Sequence, residues 1–286
     1  MKYILTAILL FNVAFGQSLF GVVAGDGTFD PDAKRLIDSV VARGGNPTTA
    51  QRTALNKLYK KMKGRFTGYS VNYWTDSVLH FYIPIFGTAS ADTARNRFNG
   101  RNPSANHLTY VSTITFSTGG MQGNATSSYA IVNGVTPASL PSNAFGFGIY
   151  ANTTGGSNNG FMGVSNGTSL TGMYPDFLGT AYYWANQSAA VTTTGQTRTG
   201  FHYVQRTASN AAAAYRNNSL VTSWTNASVT PASLNFFIAA FNGNGTPADF
   251  ANQRFPFVVF TRSLSSTGRA DIYNMINEFL TELGIN

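Results

Sequence analysis

Between Asn102 and Ser263 the chain holds two acids, Asp176 and Asp249. Cutting a glycosidic bond usually takes two carboxylates a few ångströms apart, one on each side of the bond. These two are isolated on turn-like segments with no Glu-x-Asp-x-x-Glu strand, so the sequence reads as non-enzymatic. The same scarcity argues against a calcium or manganese site, which needs several acidic oxygens. Asp26, Asp30 and Asp32 do cluster around Gly27, but not at EF-hand spacing. Asp30 before Pro31 reads instead as the cap of a helix with proline at its first position. His80, His107 and His202 are dispersed and there is no cysteine, so no zinc donor set is expected. Gly163-Val164-Ser165-Asn166-Gly167 matches the string of a nucleophile elbow. That string has meaning only at a strand-to-helix turn, and no helix pattern follows Gly167, so a β-turn is expected. No glycine-rich phosphate loop occurs, and no cofactor is expected.

Binding chemistry is better supplied. Tyr182, Tyr183 and Trp184 are contiguous, with Tyr203 and Trp224 further along. Aromatic faces stack on sugar rings, and Asn, Ser and Thr can bond their hydroxyls. A metal-free glycan site from Tyr182, Tyr183, Trp184 and Trp224 is one expectation; the other is that these rings fill the core. Seven Asn-x-Ser/Thr triplets, such as Asn124-Ala125-Thr126, carry little weight in so Asn- and Thr-rich a chain. The formal charge of +8 is uneven: residues 1–101 hold thirteen bases against six acids, the rest six against five. Arg52, Lys57, Lys60, Lys61, Lys63 and Arg65 crowd one predicted helix. They read as a docking face for DNA, an anionic membrane or an acidic protein surface, or as a solvated face. No nucleic-acid motif accompanies them, so no specific nucleic-acid partner is expected.

These residues need elements to hold them. Met1-Lys2, the apolar run Tyr3 to Phe15 and Gly16-Gln17-Ser18 resemble a secretory signal peptide. The run is thirteen residues, short for a membrane span. The alternative is an apolar docking segment, with membrane contact only if it is retained. A helix is predicted from Pro31 to about Arg43, with Ala33, Leu36, Ile37, Val40 and Val41 on one side and a stop at Gly44-Gly45. A second starts at Thr48, where Gln51 completes the capping-box spacing, and ends at Gly64. From Tyr69 onward, short β-like runs alternate with Gly/Asn/Ser turns, which indicates a sandwich or jelly roll. Leu108–Phe116, Ala144–Ala151, Gly160–Val164, Thr180–Trp184 and Leu234–Phe241 are among them. Phe145, Phe147 and Ile149 alternate with Gly146 and Gly148, so one face is bulky and the other open to a neighbouring backbone. Asn217-Asn218 marks a tight hairpin turn. Arg254–Thr261 is apolar on both faces, as in a doubly covered strand. Ile272, Met275, Ile276, Phe279, Leu280 and Leu283 form one face of a closing helix capped at Ser265 or Ser266.

The Ala211–Val221 hairpin, the Leu234–Phe241 and Arg254–Thr261 strands and the final helix together resemble concanavalin-like jelly rolls of the laminin-G type. The Gly-Gly-broken helical hairpin, Trp74 and the Phe81-Tyr82-Ile83-Pro84-Ile85-Phe86-Gly87 strand narrow the resemblance. The layout is similar to virion structural proteins of tailed phages of Bacteroidetes hosts. The resemblance implies an all-β, concanavalin-like jelly-roll sandwich with an N-terminal helical hairpin and a C-terminal helix packed on the sheet. It divides the chain into residues 1–17, a basic hairpin at 18–68 and a jelly roll at 69–286. It implies a fibre, head fibre or capsid attachment, with other virion proteins, self-association as a trimer and a host-surface polysaccharide as partners. A secreted bacterial lectin-like protein is the alternative.

Overall fold

The computed structural model describes residues 28–87, 90–156 and 160–285. The signal-like segment and Asp26 lie outside them. Among the described residues two helices come first, α1 (Pro31–Val41) and α2 (Thr49–Met62). Asp30 caps α1, accepting from the Asp32 and Ala33 amides. Thr48 and Gln51 close the expected capping box on α2. Orphan amides at both helix starts are thereby satisfied by the residues whose spacing announced them. A single turn, α3 (Tyr73–Asp76), leads into the sheets, and α4 (Ser266–Glu282), capped by Ser265, closes the chain.

Two large, mainly antiparallel sheets face each other, and a small third sheet joins Arg254–Phe255, Gly120–Gln122 and Thr115–Ser117. The first runs, in spatial order, Val78–Tyr82, Phe257–Arg262, Phe145–Ala151, Gly200–Ala208, Ala211–Arg216 and Ser219–Trp224. The second runs Val191–Thr194, Thr180–Gln187, Leu170–Phe177, Met162–Ser165, Phe237–Ile238, Tyr129–Val132 and Leu108–Val111. Phe145, Phe147, Ile149, Val258 and Phe260 meet Met162, Val164, Met173, Tyr183 and Ile238 in the sandwich core. The opposite face of the first sheet carries the helices: Phe257, Val259 and Phe81 pack with Leu36, Leu55, Met275 and Phe279. The molecule is an all-β jelly-roll sandwich with a helical layer on one face, and Phe257–Arg262 is buried on both sides as its sequence requires.

Several local expectations change. The bare face at Gly146 and Gly148 is filled by side chains rather than a neighbouring backbone. A Cβ on Gly146 would collide with the Tyr203 hydroxyl, and one on Gly148 would lie 2.6 Å from the Phe201 ring. The Leu108–Phe116 run splits at Ser112 (φ 60°) into Leu108–Val111, in the second sheet, and Thr115–Ser117, in the small sheet with Gly120–Gln122 and Arg254–Phe255. Leu234–Phe241 is broken at Ala239 (φ 62°). Its two apolar faces are covered within the chain: Phe236 and Ile238 enter the core, whereas Phe237 and Phe241 join separate aromatic clusters outside it. Asn217 and Asn218, at φ 49° and 65°, form the expected tight turn.

Candidate functional site

A cluster of outward-facing rings lies on the outer face of the second sheet. Leu170–Phe177 and Thr180–Gln187 form a hairpin in which Tyr174 pairs with Tyr182, Met173 with Tyr183 and Gly172 with Trp184. Side chains alternate along a strand, so Ala181, Tyr183 and Ala185 enter the core while Tyr182 and Trp184 face outward. On the next strand Gly163 stands opposite Gly172. These glycines leave room for the Phe241 ring, which a Cβ on Gly163 would approach to 2.5 Å. The rings interlock: Tyr182 stacks on Trp184 at 5.9 Å and 16°, Tyr174 meets Trp184 edge-on at 5.3 Å, and Phe177 meets Tyr182 edge-on at 6.0 Å. Together with Leu170 and Asp249 they line a cleft of about 320 Å³.

Trp184, Tyr174 and Phe241 are buried and form its floor; Tyr182 and Phe177 are half-buried and present ring area to solvent. The exposed Asp249, at φ 52°, accepts the Tyr174 hydroxyl at 2.8 Å. Burial, then the Asp249 charge and that bond, push the Tyr174 pKa well up, so the phenol keeps its proton. Trp184 Nε1 is buried without a partner. The arrangement offers an apolar aromatic wall beside one carboxylate acceptor. That chemistry grips a ligand with a hydrophobic face and a hydroxyl edge. Asp176, on the same hairpin, is engaged elsewhere, bound by Arg198 at 2.7 Å and by the Gly179 amide. Among the described residues no three His, Cys, Asp or Glu side chains gather as a metal site. Gly163–Gly167 ends a strand and enters a turn, with Gly167 at φ 87° and another strand following.

Of the four aromatics singled out from sequence, Tyr182 and Trp184 meet in this cleft. Tyr183 and Trp224 do not, because both point into the sandwich. The Tyr183 hydroxyl is buried and unpartnered, and Trp224 donates from Nε1 to Gln187 Oε1. Leu170, Tyr174, Phe177 and Phe241 were missed, and Asp249 was weighed only as a catalytic acid. Pro175 and Gly172 disguised the Leu170–Phe177 strand, although alternation across the Leu178-Gly179 turn would have set Tyr174 opposite Tyr182.

The basic residues of α2 form no continuous exposed face. Lys63 is buried and bridges Asp30 at 2.7 Å and Asp32 at 2.6 Å. Lys61 is buried against Glu278 and over the Phe66 and Tyr69 rings, and Lys57 reaches Glu282 at 3.2 Å. Lys60 is buried, Arg52 donates to the Pro47 carbonyl, and Arg65 is exposed. Most of this charge holds α2 to α1 and α4. Composition marked the residues as basic but could not show that the acids of another helix would meet them.

No family model matches the chain, and no curated protein matches it in sequence. Solved structures share its fold. Trypanosoma rangeli sialidase superposes with a TM-score of 0.53 at 14% identity, over 86% of this chain and 39% of that one. A mutant of that sialidase displaying trans-sialidase activity gives 0.53 at 13% identity, with the same coverage. Domain 4 of AbnA, a GH43 extracellular arabinanase from Geobacillus stearothermophilus, gives 0.47 at 16% identity, over 68% of this chain and 98% of that one. The chain thus spans about two fifths of the sialidases it matches. At such identities the sialidase likeness is one of fold, and the fold is a β-sandwich of the concanavalin-like kind.

Proposed function

We propose that this chain binds carbohydrate, without cleaving it, through the cleft between Phe177, Tyr182 and Asp249. The observation that carries the reading is the ring cluster itself. Half-buried Tyr182 and Phe177 are fixed over a buried Tyr174–Trp184–Phe241 floor, beside a carboxylate with acceptor capacity to spare. A rigid aromatic platform with few polar groups matches the apolar face and equatorial hydroxyls of a pyranose. The cleft carries a single carboxylate, whereas most glycosidases place two across the bond, and this supports binding over hydrolysis.

The test is a glycan array followed by calorimetry on the best ligand. Tyr182→Ala and Phe177→Ala should each weaken binding by roughly tenfold while Tyr182→Phe does not, since the ring supplies most of the energy. Undiminished binding in both alanine variants would overturn the proposal, as would an array with no ligand. The cleft serves equally on a phage particle, the setting implied by the order of elements, or on a secreted protein. Mass spectrometry of the native N-terminus separates these: Met1 in an assembled particle, or a start near Gln17 or Ser18. No described helix is long and apolar enough to cross a membrane.

A further inference from the structure

A second cleft, of about 520 Å³, opens where the edge strand Val78–Tyr82 of the first sheet meets the Pro137–Ser139 turn and the end of Phe257–Arg262. Arg101, Arg262 and His80 line it with the Thr75 and Ser139 hydroxyls, and no acid lines it. Several other arginines are committed: Arg35, Arg95 and Arg198 pair with carboxylates, and Arg206, Arg216 and Arg254 bond oxygen acceptors. Among the described residues the guanidiniums of Arg101 and Arg262 have no such acceptor. The Arg101 guanidinium carbon sits over the Trp74 ring, 4.3 Å from its centroid, a contact that needs none of its N–H donors. Asp32 is near enough to act on Arg101 electrostatically, but its carboxylate is held by Lys63 and Arg35.

His80 adds a directed donor. Asn99 Oδ1 accepts the Phe81 and Arg101 amides, which fixes the Asn99 amide so that Nδ2 donates to His80 Nδ1 at 3.0 Å. The imidazole is therefore the Nε2–H tautomer; burial, then Arg101, push its pKa down to about 4, so it is neutral at pH 7. Two forked guanidiniums and an N–H donor lining one concavity, with no carboxylate among its lining residues, suit an oxyanion from outside.

We propose that this cleft is an oxyanion site that takes the carboxylate or sulfate ester of an acidic saccharide. The anion half stands on this cleft alone, whereas its attachment to a sugar rests on the carbohydrate-binding reading above.

The experiment titrates the full chain with inorganic sulfate, galacturonate oligomers, sulfated galactose oligomers and neutral galactose oligomers, by calorimetry and by the His80 ring signals in NMR. Arg262→Glu is the main variant because Arg262 is exposed. Arg43→Glu, an exposed site elsewhere, removes the same charge, and Tyr182→Ala blocks the aromatic cleft. The expected result is anion binding that falls by about tenfold or more in Arg262→Glu, with little change in Arg43→Glu or Tyr182→Ala. Preference for the galacturonate or the sulfated series then tells which oxyanion the site takes. Equal losses in Arg262→Glu and Arg43→Glu would mean diffuse attraction to a basic protein and overturn the site, as would no anion binding at all. Inorganic sulfate bound without either acidic oligomer would support the oxyanion site and overturn its assignment to a sugar. Loss of anion binding in Arg262→Glu together with undiminished binding of the neutral galactose oligomers in Tyr182→Ala and Phe177→Ala would support this cleft while rejecting the aromatic one.

Discussion

His202 lies fully buried in the Gly200–Ala208 strand, its ring edge-on to Phe161 at 5.3 Å and Nε2 3.2 Å from the Arg198 carbonyl. Nδ1 has no partner. Burial, then the Arg216 charge, push its pKa down to about 3. The folded protein thus keeps His202 neutral at a pH where the unfolded chain takes up a proton. Its contribution is whole above the unfolded value of about 6.5 and declines as pH falls from there toward 3. His80, at about 4, acts in the same direction. Urea denaturation between pH 6.5 and 5 should show stability falling by on the order of 1 kcal/mol per pH unit for each histidine, and His202→Gln should remove its share of the slope. A flat profile in the parent protein would contradict this. Nearby, Arg206 is fully buried and bonds the carbonyls of Ala185, Ala208, Ser209 and Asn226 and the Gln187 side chain, tying the two sheets together. Arg206→Met would leave those buried oxygens without a donor and should lower stability by about 3–5 kcal/mol, read by the same denaturation. A fall below 1 kcal/mol would mean water replaces the guanidinium. Arg206 did not stand out in the sequence, where an isolated arginine in a strand reads as a surface charge.

At the scale of elements, the contact between α2 and α4 joins segments more than two hundred residues apart through Lys61–Glu278 and Lys57–Glu282. Tyr69 also donates to Glu278 at 2.9 Å. Desolvation raises the Glu278 pKa, but the bonds from Lys61 and Tyr69 outweigh it and hold the carboxylate below its usual range. Glu278→Gln should cost roughly 1–3 kcal/mol in thermal or urea melts, because Lys61 stays buried without its counter-charge. Asp38→Asn, which breaks the exposed Lys34–Asp38 pair of α1, should change stability by less than about 0.5 kcal/mol. Equal effects would show that burial does not set the difference. The helices and their caps were legible because cap chemistry is local. The closing helix was legible because its stripe is long. The Leu170–Phe177 strand was not, since proline and glycine suit turns as readily as irregular strands.

Across the whole molecule, Phe257–Arg262 serves two cores, Val258 and Phe260 facing the sandwich and Phe257 and Val259 the helices. A strand shared in this way couples the layers, so unfolding should be a single transition. Fluorescence of Trp74 in the helical layer and of Trp224 in the sandwich, each isolated by replacing the other tryptophans with phenylalanine, should give coincident urea midpoints. Two separated midpoints would mean that the layers melt independently. The sequence by itself determined the all-β body, the capped helices, the doubly buried closing strand, the Asn-Asn turn and the sparseness of acids. Each of these depends on residues close together in the chain or on composition. Only the tertiary structure decided which rings form a cleft and which charges are free. Tyr182 and Tyr183 are neighbours in sequence, but the pleat sends one to the ligand face and the other to the core. Lys61 and Arg262 are both basic, yet one meets the acid of a distant helix and the other is left facing open space. Those outcomes depend on which segments meet after folding, and local residue preferences do not encode that.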